Sequence, residues 1–196
     1  QMCIRDSSIN LLYLLFFFSF LITSCGKKQT KQTIINCDSN VNIYYPSGYD
    51  KSSHTPSFAI LNEPSPVEKV LDSSSLKVSF SEFSDRQIAQ VSFGSNVDLY
   101  GTGEVMGDLI RNGKTVKLWN TDNYGYGKDN GQRLYQSHPW VLGVGENGKS
   151  FGVIADNTWK MEISLGERIT FSSEGPAFRV IVIEKDSPQE VMKELG

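Results

Sequence analysis

The sequence is short of the groups on which most single-chain chemistries rest. Only two histidines occur in 196 residues, His54 and His138, too few for a histidine-rich metal site. Cys3, Cys25 and Cys37 lie near the N-terminus without metal-ligand spacing, and no thiol follows Cys37. Disulfides therefore do not hold the main body together. There is no basic stripe and the formal net charge is only -3, so nucleic acid has no electrostatic footprint here. Walker, His-Glu-x-x-His, Cys-x-x-Cys and Gly-x-Ser-x-Gly patterns are all missing. Gly101-Thr102-Gly103-Glu104-Val105-Met106-Gly107 has a passing likeness to a dinucleotide fingerprint. However, Met106 stands where the third glycine belongs and no helical period follows. Neither a cofactor nor a metal is expected.

What is present begins with an apolar run over 9–22, including Leu11, Leu12, Phe16, Phe17 and Phe18. It is shorter than the roughly 20 residues of a spanning helix and suits a signal-peptide core. Ile22-Thr23-Ser24-Cys25 then resembles a bacterial lipoprotein processing box, with cleavage before Cys25 and a lipid on its thiol. An ordinary secretory signal and an uncleaved anchor are the alternatives. The polar Gly26-Lys27-Lys28-Gln29 behind it favours the lipoprotein. The opening is atypical, because Asp6 offsets the positive charge of Arg5. The expected location is an exported, membrane-anchored lipoprotein facing the periplasm or the cell surface.

The stretch from Gln29 to about Asn40 is polar and reads as a linker. Turns dominate from Tyr44 to Pro66, with a short strand expected near Phe58–Leu61. Strand alternation then sets in: Leu76, Val78 and Phe80, followed after Ser84-Asp85-Arg86 by Ala89, Val91 and Phe93. Further strands are read at 97–101 and 116–119, with loops at 102–114 and from Trp119 to Asn130. Trp140–Val144 and Ser150–Ile154 flank Asn147-Gly148, a hairpin signal because both turn residues tolerate positive φ. Alternation resumes at Trp159, Met161 and Ile163, then Ile169 and Phe171, then Phe178, Val180 and Val182. Eight to ten short strands with regular turns predict an all-β, two-sheet antiparallel β-sandwich. A helix is expected only at the end, where Ser187-Pro188-Gln189-Glu190 forms a capping box with proline at its first position. The expected division is 1–24 leader, 25–40 polar tether, 41–186 sandwich and 187–196 the start of a helix leading onward.

The densest collection of binding groups is Leu118-Trp119-Asn120-Thr121-Asp122-Asn123-Tyr124-Gly125-Tyr126-Gly127. Flat rings suit the C–H faces of sugars, and amides or carboxylates suit their paired hydroxyls. Composition alone favours the plainer reading, a polar turn with aromatic residues capping the core. Leu134-Tyr135-Gln136-Ser137-His138-Pro139-Trp140 is a second such segment, with core packing the better reading.

Five segments, in this order, resemble the N-terminal domain of family 31 glycoside hydrolases: Tyr100–Glu104, Leu118–Asp122, Leu134–Pro139, Phe151–Trp159 and Phe171–Gly175. The tail from Ser187 to Val191 looks like the family's lead-in to its barrel. The resemblance covers 76–196. It implies a galactose-mutarotase-like sandwich beside a (β/α)₈ barrel that carries out retaining cleavage of α-glycosides with two aspartates. It also implies that a sandwich loop helps bind the sugar, with Asp122 as the substrate contact and Asn123 and Tyr124 as weaker ones. Asn120 would shape the loop and Glu104 would stabilise the domain. A barrel needs roughly 250 further residues, so these 196 residues are expected to stop before it and to hydrolyse nothing alone, with no catalytic residue of their own.

The expected function is thus the accessory, substrate-gating domain of an exported retaining α-glycosidase. Its expected partners are an α-linked oligosaccharide or glycoside, its own barrel, and the membrane through Cys25. A stand-alone carbohydrate-binding lipoprotein is the first alternative. An aldose epimerase is the second, ranked last because neither histidine has an obvious carboxylate partner.

Overall fold

The computed structural model describes residues 28–30, 32–38, 40–53 and 74–196. The leader, Cys25 and the strand expected near Phe58–Leu61 lie outside the described residues. Among the described residues the chain forms β1 (Lys28–Thr30), β2 (Gln32–Asp38), β3 (Val41–Pro46), β4 (Lys77–Phe83), β5 (Arg86–Ser92), β6 (Val97–Gly103) and β7 (Thr115–Leu118). β8 (Ser137–Gly145), β9 (Ser150–Ala155), β10 (Met161–Leu165), β11 (Arg168–Ser173), β12 (Val180–Lys185) and α1 (Pro188–Leu195) follow. Two six-stranded sheets result, in the orders β1-β4-β5-β11-β10-β7 and β2-β3-β12-β9-β8-β6. The pairings are antiparallel, as the alternating pattern requires.

Period-two alternation decides which side chains meet between the sheets. Val78, Phe80, Ala89, Val91, Ile163, Ile169 and Phe171 of the first sheet pack with Tyr44, Leu99, Val141, Val153, Val180 and Val182 of the second. Each large apolar side chain removed from water in this way contributes about 1.5–3 kcal/mol. The two sheets differ on their outer faces. In the first sheet most of these positions are polar or charged, such as Lys77, Ser79, Lys117, Glu162 and Arg168, with Phe83 and Ile88 as apolar exceptions. The second sheet is apolar on both sides. Ile35, Ile43, Ile154 and Ile181 form a separate outer cluster, joined by Trp140 and Leu195.

α1 lies on that outer face against β12, β9 and β8. Ser187 caps it by accepting from the Glu190 amide, and Pro188 opens the first turn, as the sequence predicts. Val191 is fully buried under it. Gly152 makes the approach possible: a Cβ there would stand 2.1 Å from the Trp140 ring and 2.9 Å from Val191. The helix is therefore seated on the sandwich, with its apolar face already covered.

Three expectations need correcting. The linker read at 29–40 is β1 and β2, because backbone pairing with β4 and β3 does not require apolar side chains. Pairing thus begins at Lys28, three residues after Cys25. β3 was obscured by the turn residues around it, although Ile43 and Tyr44 are wholly buried. The turn chemistry is also exchanged between hairpins. Ser84 and Asp85 both adopt positive φ (48° and 60°) in the two-residue loop joining β4 to β5, the primed turn that suits strand twist. At Asn147-Gly148 only Gly148 does so, at 84°, with Gly148 N–H donating to Gly145 O at 2.9 Å.

Candidate functional site

The edge strands β6 and β7 belong to different sheets. The segments 104–114 and 119–136 run past this side of the sandwich and gather the candidate residues. β6 ends unusually: Gly101, Thr102 and Gly103 have φ of 106°, 72° and 92°. Glycine tolerates this, and a Cβ at Gly101 or Gly103 would collide with backbone at 2.7 Å or 2.6 Å. Thr102 is β-branched, fully buried and strained, at a cost of about 1–3 kcal/mol. The register against β8 slips here, with Gly101 opposite Val141 and Gly103 opposite Ser137.

The slip delivers Glu104 to the 135–136 backbone. Its amide donates to Gln136 O at 2.9 Å, and its Oε2 accepts from the Tyr135 amide at 3.2 Å. Nearby, the Arg111 amide donates to Leu99 O at 2.7 Å and its guanidinium to Val105 O at 3.2 Å, tying the 104–114 loop to β6.

Asp122 lies between two anchored neighbours. The Thr121 amide donates to Leu134 O at 2.9 Å. Asn123 is fully buried, and its Nδ2 donates to Lys128 O at 2.8 Å and Arg133 O at 3.1 Å, while its Oδ1 accepts from the Lys128 amide at 2.8 Å. The Lys128 ammonium donates to Asp122 O at 2.7 Å. The Asp122 side chain is left exposed.

The three predicted contacts therefore separate. Asp122 is presented to solvent. Tyr124 is 95% exposed, a ring free on the surface. Asn123 is corrected: its amide is spent inside the loop and faces no ligand, because burial and three hydrogen bonds occupy it. Asn120 is exposed and the loop is shaped by Asn123 instead. Amides of either role look alike in sequence, so only tertiary burial tells them apart.

Of the two aromatic residues in the 134–140 segment, Trp140 packs against the outer apolar cluster as expected, whereas the Tyr135 ring is half-exposed. Partial desolvation, then the negative charge of Asp122, raises the Tyr135 phenol above its ordinary range, while the Asn123 backbone N–H opposes this. Trp119 and Tyr126 are also half-exposed. The resulting surface pairs a carboxylate with open aromatic faces, the groups that take sugar hydroxyls and sugar C–H faces. A cleft of about 400 Å³ on the outer face of the first sheet is less suited to a neutral ligand. Its Arg86, Lys160 and Glu174 already pair with one another, at 2.8 Å and 3.0 Å.

Residues 69–163 match the family model of the glycosyl hydrolase 31 N-terminal galactose mutarotase-like domain. The chain is 36% identical over 98 residues to Alpha-glucosidase 2 of Bacillus thermoamyloliquefaciens, covering 48% of this chain and 12% of that protein. It is 30% identical over 107 residues to Alpha-xylosidase XylQ of Lactiplantibacillus pentosus, covering 53% and 13%. Among solved structures, a family 31 alpha-glucosidase from Bacteroides thetaiotaomicron is 50% identical with a TM-score of 0.52, over 56% of this chain and 19% of that one. A Flavobacterium johnsoniae GH31 dextranase shares the fold at 16% identity and a TM-score of 0.63, over 86% and 27%.

Proposed function

We propose that this chain, which carries the N-terminal galactose mutarotase-like domain of family 31 glycoside hydrolases, supplies one wall of an α-glycoside site completed by the catalytic part of a longer enzyme. The chain spans only 12–13% of the two relatives named above, one an α-glucosidase and the other an α-xylosidase. An α-linked glucoside or xyloside is accordingly the substrate class. The observation that carries the reading is Asp122: an exposed carboxylate whose backbone is fixed on both sides by Thr121 and Asn123. Such a group accepts two hydroxyls of one sugar without first paying for loop ordering.

The test is Asp122→Ala and Asp122→Asn in the full-length enzyme. A charge-assisted hydrogen bond contributes about 1.5–3 kcal/mol, so kcat/KM should fall about 10- to 100-fold with the melting temperature unchanged. Unaltered kinetics in a normally folded variant would remove Asp122 from the site. The companion reading is export as a lipoprotein through Cys25. It is supported by the Ile22-Thr23-Ser24-Cys25 box, and Cys25→Ala should abolish lipid labelling and membrane fractionation.

A further inference from the structure

We propose that the 104–114 loop is a docking surface for the catalytic part of the longer enzyme, with Met106, Leu109 and Ile110 as its apolar contacts and Arg111 as the partner of a carboxylate carried by that part. The inference rests, for the identity of the occupant, on the reading of this chain as one wall of a longer enzyme. Large apolar side chains stand in solvent close together on this loop: Leu109 is 75% exposed, and Met106 and Ile110 are nearly half-exposed. A single exposed leucine is ordinary, but a group of this kind marks a contact surface. The loop is not free to fold them away, because it is tied down on both sides of them. The Met106 amide donates to Gly131 O at 3.0 Å, and the Arg111 amide donates to Leu99 O at 2.7 Å. Asn112 completes the second tie in the manner of a neighbouring strand. Its Oδ1 accepts from the Leu99 amide at 2.8 Å, and its Nδ2 donates to Val97 O at 2.8 Å.

Arg111 supplies an independent observation. Its side chain is buried, Nη2 donates to Val105 O at 3.2 Å, and Nε has no hydrogen-bond partner. Among the described residues no carboxylate pairs with it. A buried charge is costly unless it is paired, so this guanidinium calls for an anion from outside the sandwich. The approach is beside Gly107, where an added Cβ would stand 3.9 Å from Nη1 and where a φ of 110° reserves the position for glycine. No side chain at 107 covers that edge.

Continuity identifies the occupant. Met106 joins this loop to the 119–136 segment that presents Asp122, and a Cβ at Gly131 would stand 2.2 Å from the Met106 sulfur. A body that meets the Asp122 side of the sandwich therefore meets Leu109 and Ile110 beside it. The matched stretch is only 12–13% of the two curated relatives, so most of such an enzyme lies beyond this domain.

The experiment uses the full-length enzyme. Hydroxyl-radical footprinting read by mass spectrometry compares side-chain oxidation in the native and the urea-unfolded protein. Leu109 and Ile110 should lose reactivity on folding as completely as the buried Leu99, whereas Phe83, exposed on the first sheet, should stay reactive. Native Leu109 and Ile110 as reactive as Phe83 would overturn the docking surface. Protection that disappears on dilution would assign the patch to a second copy and overturn the occupant. The pairing of Arg111 is tested with Arg111→Lys and a carbodiimide, which condenses the introduced amine with an adjacent carboxylate. The expected product is an amide link from position 111 to an Asp or Glu of the catalytic part; a link confined to this domain, or none, would overturn the pairing. Asp122→Ala bears on the sugar reading alone: unchanged kcat/KM with Leu109 still protected rejects that reading and leaves the docking surface standing.

Discussion

Arg179 donates from Nε to Asp156 Oδ2 at 2.7 Å with both side chains almost wholly excluded from water, at 1% and 2% exposure. The same guanidinium donates to the Tyr45 hydroxyl at 3.0 Å, and the Asp156 amide donates back to Arg179 O at 3.0 Å. The pair thus joins the end of β9 to the start of β12 and reaches across to β3. Taking both charges out of water is costly, so the pair by itself adds little net stability, but breaking it strands a buried charge.

Asp156→Ala should therefore lower the unfolding free energy by about 3–5 kcal/mol, whereas the joint change Asp156→Leu with Arg179→Met should cost far less. Chemical denaturation of the single and the double variant checks this. Equal loss in the single and double variants would mean that packing, and not the stranded charge, sets the cost.

Asn123→Ala should destabilise by about 2–4 kcal/mol, since the Lys128 amide and two carbonyls lose their partner in a buried place. Asn123→Asp should not rescue it, because a carboxylate would face the carbonyls of Lys128 and Arg133. The check is melting temperature together with amide exchange of residues 121–134. A sugar-contact role would instead raise KM and leave the melting temperature alone.

Glu174 gives the acid dependence. Its carboxyl is held below its ordinary value of 4.5, chiefly by hydrogen bonding to Lys160, with Arg86 adding to the effect. A depressed folded pKa stabilises above the unfolded value and is lost as pH falls through the folded one. Glu174→Gln should therefore flatten the stability curve on the acid side of 4.5. Melting curves from neutral pH down to about pH 3 check this, and an unchanged slope would show that solvent screens the pair.

The sandwich was legible wherever side chains alternate. Val78/Phe80, Ala89/Val91 and Ile169/Phe171 all point inward as the pattern requires. The helix was legible down to its cap. β2 was hidden because Gln32–Asp38 lies at an edge of its sheet, where backbone pairing to β3 suffices and mostly polar side chains are tolerated. The site was half legible: the loop and Asp122 stood out by composition, but the division of labour between Asp122 and Asn123 depends on which side chain turns inward. The positive φ of Thr102 had no sequence signal, because threonine ordinarily avoids it. In the 134–140 segment the sequence did not tell which aromatic packs: Trp140 does, while Tyr135 is half-exposed beside the buried Leu134.

Residues 28–38 give one strand to each sheet, β1 beside β4 and β2 beside β3. A single short polar segment thus closes an open edge on both halves of the sandwich. Proteolytic release of this segment by a cut between Asp38 and Val41 would uncover the backbone groups of β4 and β3 together, leaving two sticky borders, and one of them adjoins the apolar Ile43/Ile154/Ile181 face. Loss of this segment would be felt first as self-association of intact cores, before any loss of the sandwich itself.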